Sequence, residues 1–276
     1  MFNFGSLTNL QQRIIFGILG ALAVVNSIIW SEWSFFVLFF VISMFAQQEF
    51  YQLLIEDKKK PNDIFGTVIG LVVYTLAFFI EKKFLSVSYY MALFPLCALI
   101  FIFELYYSKK KPFNNVAYTF LGVLYVAIPF TVLVVIAFVN GDYSWQIVLG
   151  VLMLLWASDT GAYFAGRKLG KHKLFPRVSP GKTWEGAIGG GLLSLLTSWV
   201  LSIYFTDLKS WQWPCLSVII VVSGIYGDLV ESSFKRSLEI KDSGSAIPGH
   251  GGFLDRFDGL LLASPFVITF LQIFKF

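Results

Sequence analysis

The run VAYTFLGVLYVAIPFTVLVVIAFV, residues 116–139, carries no charged side chain. About 20 apolar residues in a helix cross the hydrocarbon core of a bilayer, where only a helix or a closed barrel can satisfy its own backbone. The run therefore reads as a membrane-spanning helix, with Pro129 as a point where it can kink. Working outward gives nine candidate spans: 14–31, 34–54, 64–81, 86–107, 116–139, 146–165, 185–205, 213–233 and 259–275. Composition agrees, since 57% of the 276 residues are hydrophobic, 14% are charged and 30 are Phe. That is too apolar for a soluble domain to cover its own surface. The expectation is an all-α polytopic membrane protein of about nine transmembrane helices. Cys97 and Cys215 both lie in apolar segments, which supports neither a disulfide framework nor a thiolate metal site. A single arginine precedes the first apolar stretch and no small-residue cleavage pattern follows it, so it is expected to remain as an anchor.

Basic residues in the connections set the orientation. With the N-terminus cytoplasmic, Arg13, Lys58 to Lys60, Lys109 to Lys111, six bases in 167–182 and four in 235–256 fall inside, a total of 17, and Lys82, Lys83, Lys209 and Lys275 fall outside. Both polar loops, 166–184 and 234–258, then face the cytoplasm. The lysine turns at 58–60 and 109–111 read as contacts with acidic head groups, at about 1 kcal/mol per base. Residues 1–142 are expected to form an N-terminal bundle with few intramembrane charges. Residues 143–276 are expected to form a C-terminal catalytic bundle that holds nearly all of them.

The stretch Ser232 to Asp258, SSFKRSLEIKDSGSAIPGHGGFLDRFD, breaks the apolar pattern. Lys235, Arg236, Lys241 and Arg256 are interleaved with Asp242, Asp255 and Asp258, and glycines at 244, 249, 251 and 252 leave backbone amides open to a bound group. Amides and bases suit phosphate oxygens, and carboxylates suit a hard divalent cation. Just upstream, Asp228, Glu231, Ser232 and Lys235 fall at i, i+3, i+4 and i+7, a polar stripe on an otherwise apolar helix that leads into this loop.

Two further features surround it. Asp159, late in the sixth span, is either a wall of the polar site or a partner for a base such as Arg167. The loop after it ends Ser179-Pro-Gly-Lys182-Thr-Trp-Glu185-Gly186. Gly181-Lys182-Thr183 is no Walker A site, because Pro176 stands where that motif needs glycine. Instead the start of the seventh span offers amides to an anion, with Lys182 as a phosphate contact, Glu185 orienting it, and His172 as a solvated side chain. Gly186 and Gly190 are spaced for close helix packing.

The 232–258 stretch resembles the signature of the phosphatidate cytidylyltransferases, or CDP-diacylglycerol synthases. The resemblance runs through Ser232, Lys235-Arg236, Lys241-Asp242, Gly244, Pro248, His250-Gly251-Gly252, Asp255-Arg256 and Asp258, and the 179–186 run and the Asp159 helix are also similar. It implies transfer of a cytidylyl group from CTP to phosphatidic acid, releasing pyrophosphate, at the inner membrane of a bacterium. The partners implied are CTP, phosphatidic acid and the bilayer, with no nucleic acid; a homodimer and a monovalent cation beside Mg2+ stay open. Asp228, Asp255 and Asp258 are expected to hold magnesium, with Asp242 and Asp159 as second choices. Lys235, Arg236, Lys241, Arg256 and Lys182 are expected to neutralise phosphates, and His250 to donate to a phosphate oxygen or orient the loop. Ser179, Glu185 and Glu231 are supporting residues.

Other readings remain. A CTP-dependent polyprenol or lipid kinase shares nucleotide and membrane, and differs in whether the α- or γ-phosphate reaches the lipid. The CDP-alcohol phosphotransferase pattern fails, because Asp258-Gly259 is followed by leucines. A transporter predicts charges near the midplane and internal repeats, whereas these charges crowd the helix ends.

Overall fold

The computed structural model describes residues 9–107, 111–240, 243–244 and 251–275, and nearly all of them are helical. Helix α1 (Asn9–Trp30) turns into α2 (Glu32–Glu56) at Ser31, whose hydroxyl accepts the Ser34 N–H at 3.2 Å while Ser34 Oγ accepts the Ser31 N–H at 3.1 Å. This reciprocal cap satisfies two amides that a helix start leaves unpaired. Asn62 caps α3 (Asp63–Glu81), and a 3₁₀ turn over Val87–Ala92 runs into α4 (Leu93–Tyr107). Helix α5 (Pro112–Gly122), a π turn (Val123–Ala127) and α6 (Ile128–Ala137) make one continuous span. The wide turn stands directly before Pro129, which has no N–H to continue the ladder. Then come α7 (Trp145–Leu169), a hairpin of β1 (Lys173–Phe175) and β2 (Ser179–Thr183), α8 (Trp184–Tyr204), α9 (Gln212–Ser237) and α10 (Leu254–Ile273).

From α2 onward, eight helical segments among the described residues are long and apolar enough to cross a bilayer, and they coincide with eight of the nine expected spans. The first expected span, 14–31, coincides with α1, in which Gly17–Trp30 is an apolar helical stretch. The chain is an all-α polytopic integral membrane protein. One small departure is the α7–α8 connection, where Lys173 pairs with Thr183 and Phe175 with Ser179 in an antiparallel hairpin. Strands of three and five residues, rich in lysine and interrupted by Pro180, are too short to display alternation.

Glycine sets the closest packing. A methyl on Gly161 would lie 2.6 Å from the Gly189 carbonyl oxygen, and one on Gly190 would lie 2.6 Å from that of Ser158, so α7 and α8 meet backbone to backbone. Ser194 then ties three helices: it donates to Leu154 O at 3.2 Å and accepts from Ser217 Oγ at 2.9 Å. Gly190→Val should therefore cost about 1–3 kcal/mol and lower the melting temperature in detergent. Gly191→Ala, whose methyl meets only Val221 Cγ1 at 3.8 Å, should not.

One continuous apolar core joins both halves of the chain, including Phe35, Phe39 and Phe130 from the first and Trp213, Leu254 and Leu261 from the second. Phe257 of α10 sits against Phe39 and Phe130, at ring-centroid distances of 6.2 and 5.5 Å. Polar contacts collect at the two ends of the bundle. At one end Lys82 pairs with Glu32 at 2.7 Å and Asp207 accepts from Ser144. At the other lie the C-terminal ends of α2, α7 and α9, the hairpin, and the first turns of α8 and α10.

Candidate active site

The second end gathers five acids from three helices: Asp159 of α7, Asp228 and Glu231 of α9, and Asp255 and Asp258 of α10. Backbone contact between α9 and α10 makes this possible. A methyl on Gly227 would sit 2.6 Å from the Asp258 carbonyl oxygen, so the glycine lets Asp228 come alongside Asp258. One carboxylate oxygen each from Asp228, Glu231 and Asp258 lie within 4.8 Å of one another.

Two lysines flank this group. Lys182, on β2, reaches Asp228 at 2.5 Å. Lys235 bridges Glu231 at 2.9 Å and Asp255 at 2.7 Å. Ser232 Oγ donates to Asp228 at 3.1 Å, and Asp258 accepts the Gly259 N–H at 2.7 Å. The stripe from Asp228 to Lys235 is thus one connected polar face. Glu231 is 1% exposed, and no donor among the described residues faces its Oε1. A buried carboxylate oxygen without a donor is costly, and three converging acids repel one another. The donor set is all oxygen, which fits a hard divalent cation. Among the described residues, Asp228, Glu231 and Asp258 are therefore the group able to hold a metal ion.

The other residues singled out from sequence fall around this centre. Asp255 stands on the Lys235 side: its Oδ1 takes Lys235 Nζ, and its Oδ2 accepts the amides of Ser243 and Gly252, both at 3.3 Å. Asp159 lines a cavity of about 500 Å³ with Tyr163, Arg167, Lys182, Gly224 and Asp228. In that cavity Arg167 donates to Tyr163 Oη at 3.1 Å, and the field at Asp159 comes from Asp228, Lys182 and Arg256. Arg236 is exposed and donates to the Ile240 carbonyl at 2.8 Å. Ser179 opens β2. Glu185 accepts the Lys171 and His172 amides at 3.1 and 3.2 Å and meets His172 Nδ1 at 2.6 Å, so it fastens the hairpin that carries Lys182. His172, expected to be merely solvated, is exposed yet paired. Lys241, Asp242 and His250 lie outside the described residues.

Sequence reading passed over three groups here. Glu49 of α2 accepts the Phe253 N–H at 2.8 Å and the Ser243 hydroxyl. A lone acid in an apolar span was the available signal. Ser243 gave none. Tyr125, on the π turn, has a buried hydroxyl without a partner among the described residues, in the field of Glu231, Asp258 and Asp228. A π turn often marks a functional site, but it has no sequence signature as clear as proline's.

A helical bundle with carboxylates, lysines and a cavity at one end defines a polytopic membrane protein whose site suits phosphates and a cation. The chain belongs to the cytidylyltransferase family, whose sequence profile matches residues 11–274. It is similar to the phosphatidate cytidylyltransferase of Bacillus subtilis, with 31% identity over 280 residues, covering 98% of this chain and 100% of that one. It is also similar to proteins of that name from Staphylococcus saprophyticus, 41% identical over 60% of this chain and 64% of the relative, and Staphylococcus epidermidis, 44% identical over 57% and 60%.

Proposed function

We propose that this protein transfers the cytidylyl group of CTP to phosphatidic acid, giving CDP-diacylglycerol and pyrophosphate in a magnesium-dependent reaction. The observation that carries the reading is the convergence of Asp228, Glu231 and Asp258 between Lys182 and Lys235, inside a chain of this family. A phosphate oxygen of the lipid attacks the α-phosphorus of CTP, the bond from that phosphorus to the oxygen bridging to the β-phosphate breaks, and pyrophosphate leaves with that oxygen. The lipid phosphate is already ionised near neutral pH, so no covalent nucleophile or strong base is needed. Repulsion between two anions is the main barrier.

The side chains act on that barrier. Lys182, at the cavity wall, would exchange its contact with Asp228 for a phosphate oxygen, and Lys235 would keep Glu231 and Asp255 in place while adding positive charge. Asp228, Glu231 and Asp258 would hold magnesium, which supplies charge against the phosphate oxygens. Asp159, facing the same cavity, would position the nucleotide through its neighbours. The 17-to-4 asymmetry of bases supports a cytoplasmic N-terminus and site, and a location in the bacterial inner membrane, where CTP is available.

Purified protein given phosphatidic acid, magnesium and CTP labelled at the α-phosphate should produce a label that extracts into organic solvent. The γ-label should stay in water-soluble pyrophosphate, and a chelator should stop turnover. A γ-label in the lipid would instead establish a kinase.

A further inference from the structure

Helix α10 begins without a cap of its own. Phe253 stands at the cap position and has no side-chain oxygen to receive a first-turn amide. The acceptor comes from the other half of the chain, 204 residues away: Glu49 Oε2 takes the Phe253 N–H at 2.8 Å. The other oxygen of the same carboxylate takes the Ser243 hydroxyl. Glu49 is only 7% exposed, so the cost of burying it is met only where its bonds are satisfied. Aromatic stacking holds the helix that delivers it. Phe45 lies over Phe253 with centroids 5.4 Å apart, and Phe50 over Phe234 at 5.0 Å.

The glycines on both flanks agree with this placement. A methyl on Gly244 would come within 3.2 Å of the Glu49 carboxyl carbon, and one on Gly252 would overlap the carboxylate itself. Glycine at 244 and 252 thus has a second reason beyond leaving amides open to a ligand: the Glu49 carboxylate fills the space. Asp255 takes the remaining amides of Ser243 and Gly252, so the two carboxylates grip both flanks from opposite helices.

We propose that Glu49 is a positioning residue for this site: from α2 it caps α10 and locks Ser243 and Phe253, which sets Asp255 against Lys235 and Asp258 into the acid group. The first half of the chain then supplies part of the active-site architecture in addition to anchoring. This inference rests on the cytidylyl-transfer reading for its kinetic consequence, though not for its structural one.

The test compares Glu49→Ala and Glu49→Gln in the full-length protein. Misplacing reacting groups by about 1 Å costs up to about a hundredfold, so Glu49→Ala should lower kcat about 10- to 100-fold with KM for CTP little changed. Glu49→Gln keeps an acceptor for Phe253 and a polar partner for Ser243, and should stay within about threefold of the parent. Wild-type kcat in Glu49→Ala overturns the proposal, as does a folded Glu49→Gln that is as slow as the alanine variant, because charge would then be the requirement. If Glu49→Ala fails to accumulate, Ser243→Ala decides: about a threefold fall in kcat supports the role, as expected for one lost hydrogen bond, and parental kcat overturns it. Hydrogen exchange at 252–254 needs no substrate. Faster exchange in Ser243→Ala, or in Glu49→Ala where it accumulates, than in the parent supports the cap even if the parent transfers no cytidylyl group, and unchanged exchange in these variants refutes it.

Discussion

Asp258→Asn is expected to reduce cytidylyl transfer at least about a hundredfold while the protein still inserts and folds. The replacement is nearly isosteric, so α10 keeps its packing against Phe39 and Phe130. What changes is charge: the group formed with Asp228 and Glu231 loses one of three anionic oxygens able to face a cation. Raising the magnesium concentration should recover part of the lost rate if the defect is in metal affinity. Asp57→Asn is the control, since Asp57 makes an exposed pair with Lys59 at 3.4 Å and should change nothing measurable. Parental turnover in Asp258→Asn would remove the metal assignment. Asp255→Asn should also slow the reaction by a different route, because Asp255 holds Lys235 and the Ser243 and Gly252 amides.

How much of this was legible from sequence follows from how local each signal is. A span announces itself through its own 20 or so apolar residues, so eight helices were readable one at a time. The polar stripe from Asp228 to Lys235 was readable for the same reason, being four positions on one helix face. Contacts between elements were not. Nothing in the residues around Asp255 says that it faces Lys235 and not the oxygens of Asp228; that depends on the α9–α10 crossing at Gly227. Glu185 looked like a partner for Lys182 three positions before it, yet the hairpin brings His172 and the Lys171 amide there first. Glu49 was the hardest to find, because its partners stand in the last quarter of the chain and its own span gives no pattern beyond one unexplained acid.

Lys235→Met should have the largest effect on stability. Lys235 is 9% exposed and sits between two carboxylates, Glu231 at 2.9 Å and Asp255 at 2.7 Å. Removing the base leaves a buried acid and a partly buried one side by side with no cation between them, and breaking a buried pair in this way costs about 3–5 kcal/mol. The melting temperature in detergent should fall sharply and the yield of folded protein with it. Adding Asp255→Asn to Lys235→Met removes one of the opposed charges, so the double variant should be more stable than Lys235→Met alone, a non-additivity that reports direct coupling. Activity should not return, because the positive charge proposed to act on the phosphates is still missing. Asp258→Asn sets the contrast, since it relieves repulsion among clustered acids and should leave the melting temperature unchanged or raised although turnover is lost. Opposite signs on stability with the same loss of turnover separate the residue that neutralises this cluster from one that keeps it charged for a cation. A Lys235→Met protein as stable as its parent would mean that the two acids are not held together by this lysine.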